Sequence, residues 1–125
     1  MRPVSLAEVA TRVLAGESFH YSLSEFLDEF YIAPSQKALA LEPQSLKGSL
    51  PKGDVYDAYL AATAEALAGK YGLDTPDWAY NPNRQLHYPW FALNYASLRA
   101  VLLWESPPAF RSRNLFVSEN ALSRA

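Results

Sequence analysis

Residues 5–16 read SLAEVATRVLAG and residues 22–31 read SLSEFLDEFY, and the two stretches follow one pattern. In each stretch a serine is followed three residues later by a glutamate, which is the capping box found at the beginning of many helices. The apolar residues then recur at spacings of three and four, so each stretch carries a single apolar stripe. The sequence therefore predicts two short antiparallel helices, over 5–15 and 22–31, with matching apolar faces.

Two longer helices are predicted further along the chain. Asp54 is a favourable N-cap residue and Gly72 a favourable C-terminal stop, with an alanine-rich segment between them. Residues 91–105 form the other long helix, and because this segment is apolar on most sides we expect it to be the central helix. Shorter helical segments are predicted within residues 35–41 and 75–78, after Pro107 through Arg111, and from Ser118 to Ala125.

Length and patterning together indicate the fold class. The chain has 125 residues, of which 50% are hydrophobic and 19% charged, and this supports one compact folded domain. Alternating apolar positions nowhere extend far enough to build a sheet. We therefore predict a single all-α domain over residues 1–125, a compact bundle of five or six short helices. The stripes of 5–15 and 22–31 are expected to pack on the helices that begin near Asp54 and Phe91.

Charge and composition exclude several classes of protein. Eleven basic and thirteen acidic side chains leave a net charge of -2, which disfavours a surface built to coat nucleic acid. The absence of cysteine excludes a disulfide framework and a zinc site with cysteine ligands. No apolar run approaches the roughly 18 residues of a membrane helix, and residues 1–4 do not begin a secretory signal. We expect a soluble cytoplasmic protein with no membrane partner.

Motifs for catalysis or metal binding are not found in the sequence. His20 and His87 have no partner ligand at the helical spacing that a metal site needs. Glu25, Asp28 and Glu29 lie opposite the apolar stripe of their helix, so we expect them to face water rather than to form an acid–base pair. No nucleophile elbow or glycine-rich phosphate loop occurs. We therefore expect no catalytic residue, no metal and no cofactor, and we favour a non-enzymatic function.

The most informative stretch for binding runs from His87 to Ala125. It begins with aromatic residues and continues, beyond the apolar helix, with two prolines and two arginines separated by one serine. The prolines restrict the backbone, so the guanidinium groups are held where a carboxylate, a phosphate or a partner's backbone can meet them. The candidate binding residues are Trp78, His87, Trp90, Arg111, Arg113 and Asn114.

Two interpretations of Arg111 and Arg113 remain open. If they bind one anion together, the backbone at Ser112 must be extended or irregular, because residues two apart on a helix point in different directions. If they are structural, each should meet a carboxylate of the same chain and pin the C-terminal tail. Glu105 is the first candidate for that carboxylate, and the structural interpretation is the one we favour.

Several segments of the chain resemble an uncharacterised family of small bacterial proteins. These are SEFLDEFY at 24–31, PWFA at 89–92, LRA at 98–100, ESPPAFRSRNLFVS at 105–118 and LSRA at 122–125. The resemblance covers most of the chain and implies a bacterial protein that forms a stand-alone domain. It also implies relatives that accompany toxin–antitoxin-like or regulatory genes, and it assigns no catalytic chemistry.

Two functions fit these observations. The first is a small interaction or regulatory (antitoxin-like) module that binds another protein or itself, since the many aromatic residues favour interfaces. The alternative is a small-molecule-binding domain or an enzyme with a site near Trp78, Trp90 and Arg111. Binding of nucleic acid through the C-terminal arginines is disfavoured by the overall charge.

Overall fold

The computed structural model describes residues 1–93 and 95–124. These residues form six α-helices, two 3-10 turns and one pair of parallel strands, so the predicted all-α class is confirmed. The helices are α1 (Leu6–Leu14), α2 (Phe19–Ile32), α3 (Lys37–Ala40), α4 (Gly53–Tyr71), α5 (Ala96–Glu105) and α6 (Pro108–Arg111). The 3-10 turns are Asp77–Tyr80 and Pro82–Arg84, and the strands are β1 (Trp90–Phe91) and β2 (Leu115–Phe116).

Helix α4 is the centre of the fold, and the prediction that residues 91–105 supply the central helix was wrong. Most of the nineteen residues of α4 are buried, and they contact α6, β2 and both 3-10 turns. In contrast, Leu102 is the buried residue of α5, whose main contacts are with β2. Helix α5 also begins later than the predicted position 91, because Phe91 pairs with Phe116 of β2 instead of joining the helix. Position 94 lies outside the described residues.

The two capped helices differ in how they begin. In α1 the Ser5 hydroxyl accepts a hydrogen bond from the Glu8 backbone N–H at 3.1 Å, as the sequence predicts. Helix α2, however, begins at Phe19 with Ser18 as its N-cap residue, and Ser22 lies buried inside the helix. The predicted cap at Ser22 was therefore wrong. The helix extends further because Phe19 belongs to the same buried stripe as the residues that follow it.

Aromatic rings join α2 to α4. The Phe19 ring stacks on Tyr56 with centroids 4.2 Å apart and meets the Tyr59 ring edge-on at 5.5 Å. At the other end of α2, Phe30 meets Tyr71 edge-on at 5.5 Å. Packing of α2 on the helix that begins near Asp54 thus agrees with the prediction. The main contacts of α5 are with β2 instead.

The first turns of α4 hold the loop that precedes the helix. A Cβ atom at Gly53 would collide with the backbone carbonyl of Leu46, so this position requires glycine. One turn later, the Asp57 carboxylate accepts hydrogen bonds from the Ser45 hydroxyl and from the backbone N–H groups of Leu46 and Lys47, at 2.7–3.1 Å. The loop is therefore fixed to α4 by close backbone contact and by one buried carboxylate.

The C-terminal tail packs against α2. The Tyr31 hydroxyl donates a hydrogen bond to the Leu122 carbonyl at 2.7 Å, and Arg124 Nε lies 2.9 Å from Asp28 Oδ1. The hydrogen bond from Arg124 lowers the pKa of the Asp28 carboxyl. The predicted final helix over 118–125 is a series of turns in its described part, and residue 125 lies outside it. An ion pair pins the tail, but Arg124 makes it rather than Arg111 or Arg113.

Candidate functional site

Trp78 is a buried residue of the first 3-10 turn. Its indole N–H donates a hydrogen bond to the Leu39 carbonyl at 3.0 Å, and the Arg84 guanidinium lies 5.0 Å from the ring centroid. Trp78 therefore has a cationic neighbour, Arg84, and both residues are buried. Trp78 is not among the residues that line the cavity next to Trp90.

Arg113 is buried, with 2% of its surface exposed. Its Nη1 atom donates to Glu65 Oε1 at 2.5 Å and to the Ala109 carbonyl at 2.7 Å. Its Nη2 atom donates to the Ala79 carbonyl at 2.8 Å. Arg111, two residues earlier, is exposed at the end of α6. The guanidinium of Arg113 therefore holds α4, α6 and the first 3-10 turn together.

The two arginines do not converge on a common ligand position. The backbone at Ser112 is helical, with φ -64° and ψ -16°, so the side chains of Arg111 and Arg113 diverge. Arg113 meets a carboxylate of the same chain, as the structural interpretation requires, but the carboxylate is Glu65 and not Glu105. The sequence could not identify Glu65, because 48 positions separate it from the arginine.

We expect Arg113→Gln to lower the free energy of unfolding by about 2–4 kcal/mol, because three hydrogen bonds to a buried charge are lost. Urea denaturation followed by circular dichroism measures this change. Arg111→Gln is the matched control, since it removes the same charge from an exposed position of the same segment. Equal stability of the two variants would contradict the structural role of Arg113.

Asn114 joins the segments that precede the two strands. Its backbone has a φ of 63°, in the left-handed region that asparagine tolerates better than most residues. The side-chain amide of Asn114 donates to the Leu86 carbonyl at 2.7 Å, and the backbone carbonyl of Asn114 accepts a hydrogen bond from the Trp90 backbone N–H at 2.9 Å. His87 is exposed beside Leu86. Within residues 1–93 and 95–124 no three histidine, aspartate or glutamate side chains are grouped as metal ligands.

Trp90 lines an apolar cavity of about 260 Å³. The cavity is lined by residues from distant parts of the chain. Helix α2 contributes His20, α4 contributes Tyr59 and α5 contributes Leu102. Val117, which follows β2, completes the inner wall. The sequence predicted Trp90 as a binding residue, but it did not predict that His20 and Tyr59 line the same cavity. A histidine in a helix-linking segment and a tyrosine in a helical stripe are common features of ordinary packing.

His20 and Tyr59 are polar aromatic residues in the lining of this cavity. The His20 ring is exposed and lies edge-on to Tyr59, with centroids 6.5 Å apart. Tyr59 is 7% exposed, and burial raises the pKa of its hydroxyl to about 12. The hydroxyl is therefore protonated at physiological pH. No hydrogen bond of this hydroxyl is found among residues 1–93 and 95–124, and the hydroxyl is not one of the completely buried unpaired groups.

A second surface lies on the opposite side of α5. Trp104 is 86% exposed and Tyr95 72% exposed, and Val101 and Leu103 are each about half exposed. We call these four residues, of which Tyr95 directly precedes the helix and the other three belong to it, the outer face of α5. Large apolar side chains concentrated in one exposed segment are typical of interaction sites in folded proteins.

The fold and these two surfaces define a small all-α domain in which one apolar helix covers a cavity and exposes its other side. We compared the chain with protein-family models, with curated proteins and with solved structures, and none of them matches it. No helix in the described part of the chain is long and apolar enough to span a bilayer. The resemblance to a bacterial family, the regulatory role it implies and the cytoplasmic location stay predictions.

Proposed function

We propose that this chain is a protein-interaction module, that its binding surface is the outer face of α5, and that its partner there is a second copy of the chain. The observation that carries the proposal is the exposure of Trp104, at 86%. Tryptophan is among the residues most enriched at the energetic centres of interfaces, where burial of its large ring contributes strongly to affinity.

The size of the outer face supports an interface. Its four side chains expose roughly 500 Å², which is in the range of the largest apolar patches on monomeric proteins. One partner contributes roughly 800 Å² to an interface of standard size, so the outer face has the area to form the centre of such an interface, with the side chains around it as the rim.

The arrangement of side chains along α5 favours a second copy as the partner. Ala96, Ala100 and Trp104 follow one another at intervals of four residues, so they form one row on the helix. All three are exposed. If two copies cross antiparallel with Ala100 on the two-fold axis, the Trp104 ring of each copy lies over Ala96 of the other. The row itself carries no charge, and the guanidinium of the neighbouring Arg99 lies over the Phe91 ring, 5.3 Å from its centroid.

The test is the mass of the protein in solution. We expect light scattering coupled to size exclusion to give about twice 13.9 kDa for the wild type and the mass of one chain for Trp104→Arg. A charge at position 104 would be buried twice, once in each copy, without a partner.

Ile32→Arg is the matched control, because Ile32 is also a large exposed residue but lies at the end of α2. This variant should remain a dimer. A wild-type mass of one chain at the highest soluble concentration, or a dimer that Ile32→Arg disrupts and Trp104→Arg does not, would overturn the proposal.

A further inference from the structure

We infer that the cavity beneath α5 is a binding site for a neutral aromatic compound of about two fused rings that carries one hydrogen-bond acceptor. The inference goes beyond the proposed dimer, since the cavity lies on the inner side of α5, where Leu102 is buried, and the dimer uses the outer face.

The volume of the cavity sets the size of the ligand. A buried apolar cavity of roughly 150 Å³ is enough to bind benzene, and pockets for larger ligands begin at roughly 300 Å³. A cavity of about 260 Å³ lies between these limits. It therefore fits two fused six-membered rings better than a single ring or a nucleotide.

The lining of the cavity selects against charge. Its described lining contains no acidic residue, lysine or arginine, and a charged ligand would lose its hydration without gaining a counter-ion. Trp90, Tyr59 and His20 offer aromatic rings, whose edges and faces pack well against another aromatic ring. These two properties together indicate a neutral aromatic compound.

The Tyr59 hydroxyl supplies the specific polar contact. Ser118, the other hydroxyl in the lining, accepts a hydrogen bond from the Asn120 backbone N–H at 3.1 Å and can still donate its own proton, so Tyr59→Phe is the variant that distinguishes the two donors. Burial raises the pKa of the Tyr59 hydroxyl and so keeps its proton in place. A ligand with one acceptor atom would satisfy this donor, which otherwise depends on solvent at the edge of an apolar cavity.

The probes for the test are quinoline and naphthalene, which have nearly the same shape and differ in one acceptor nitrogen. Each is titrated into the full chain near neutral pH, and backbone and indole N–H chemical shifts are followed by NMR. We expect shifts centred on Trp90, Leu102 and Val117, and binding of quinoline about tenfold tighter than that of naphthalene. In Tyr59→Phe the two probes should bind equally, at the affinity that naphthalene has for the wild type.

Two further variants keep the outcome clear. Ala121→Leu narrows the cavity at a partly buried position and should abolish binding of both probes. Trp104→Arg should bind them like the wild type, whatever its effect on the dimer, because Trp104 is outside the cavity. The inference is overturned if neither probe binds, if the shifts map to the outer face of α5, or if Tyr59→Phe retains the preference for quinoline.

Discussion

Replacing Asp57 by alanine should lower the free energy of unfolding by about 3–5 kcal/mol, which is a large part of the stability of a domain of this size. The Asp57 side chain is 2% exposed and accepts three hydrogen bonds, one from the Ser45 hydroxyl and two from backbone N–H groups. Its Oδ1 atom also lies 3.7 Å from Nη1 of Arg84, which is itself buried. The variant leaves three donors without their acceptor, one of them the buried Leu46 N–H, and it removes the carboxylate beside the buried Arg84 guanidinium.

Arg84 has a second carboxylate partner and also donates to the Pro43 carbonyl at 2.6 Å, but these contacts compensate only in part. Its Nη2 atom lies 3.5 Å from a carboxylate oxygen of Glu42, which is more than half exposed and so weakly coupled to the buried charge. Urea denaturation measures the loss, with Asp54→Ala as the matched control on the outer side of the same helical turn. Asp57→Asn should lie between the wild type and Asp57→Ala, because the amide oxygen still accepts a hydrogen bond. If Asp57→Ala were as stable as the control, the carboxylate would not be holding the loop.

Replacing Phe26 by alanine should cost about 3–5 kcal/mol of stability, since a ring that is almost completely buried leaves a cavity behind. The ring packs against Phe30 with centroids 5.7 Å apart, on the inner face of α2. Thermal or urea unfolding checks the expectation, and both should show the midpoint falling while the helical content of the folded state is retained.

Tyr21→Ala is the matched control for Phe26→Ala, because Tyr21 lies on the same helix and is largely exposed. Its hydroxyl donates to Glu25 on the surface, so the control removes an aromatic ring of similar size without opening the interior. A Phe26→Ala variant with wild-type stability would mean that the apolar stripe of α2 is a binding face rather than part of the interior.

The local elements were predictable because their signals are local. The cap at Ser5, the apolar stripes of 5–15 and 22–31 and the glycine stop at Gly72 all act within one or two helical turns. The choice of the central helix was not predictable in the same way. Residues 54–72 and 91–105 are both apolar, and composition does not tell which apolar helix the rest of the chain covers.

The candidate sites depended on contacts between distant parts of the sequence. Arg113 and Glu65 lie 48 positions apart, and the cavity brings His20, Tyr59 and Trp90 together from three different elements. Trp90 was recognisable from its aromatic neighbourhood, but its partners were not. No spacing rule connects residues that meet only when the chain has folded.

The contacts of the C-terminal tail bear on how the chain folds while it is being synthesised. Tyr31 reaches Leu122 across 91 positions, and Asp28 reaches Arg124 across 96. Loops of this length close late, because their entropy must be lost before the contacts contribute. Helices α1 and α2 leave the ribosome early, but α2 cannot make its contacts with the C-terminal tail until residues 122 and 124 have been added. Until then the C-terminal tail does not cover the end of α2 at Tyr31. A nascent chain that pauses before residue 122 therefore exposes this part of α2 to chaperones and proteases.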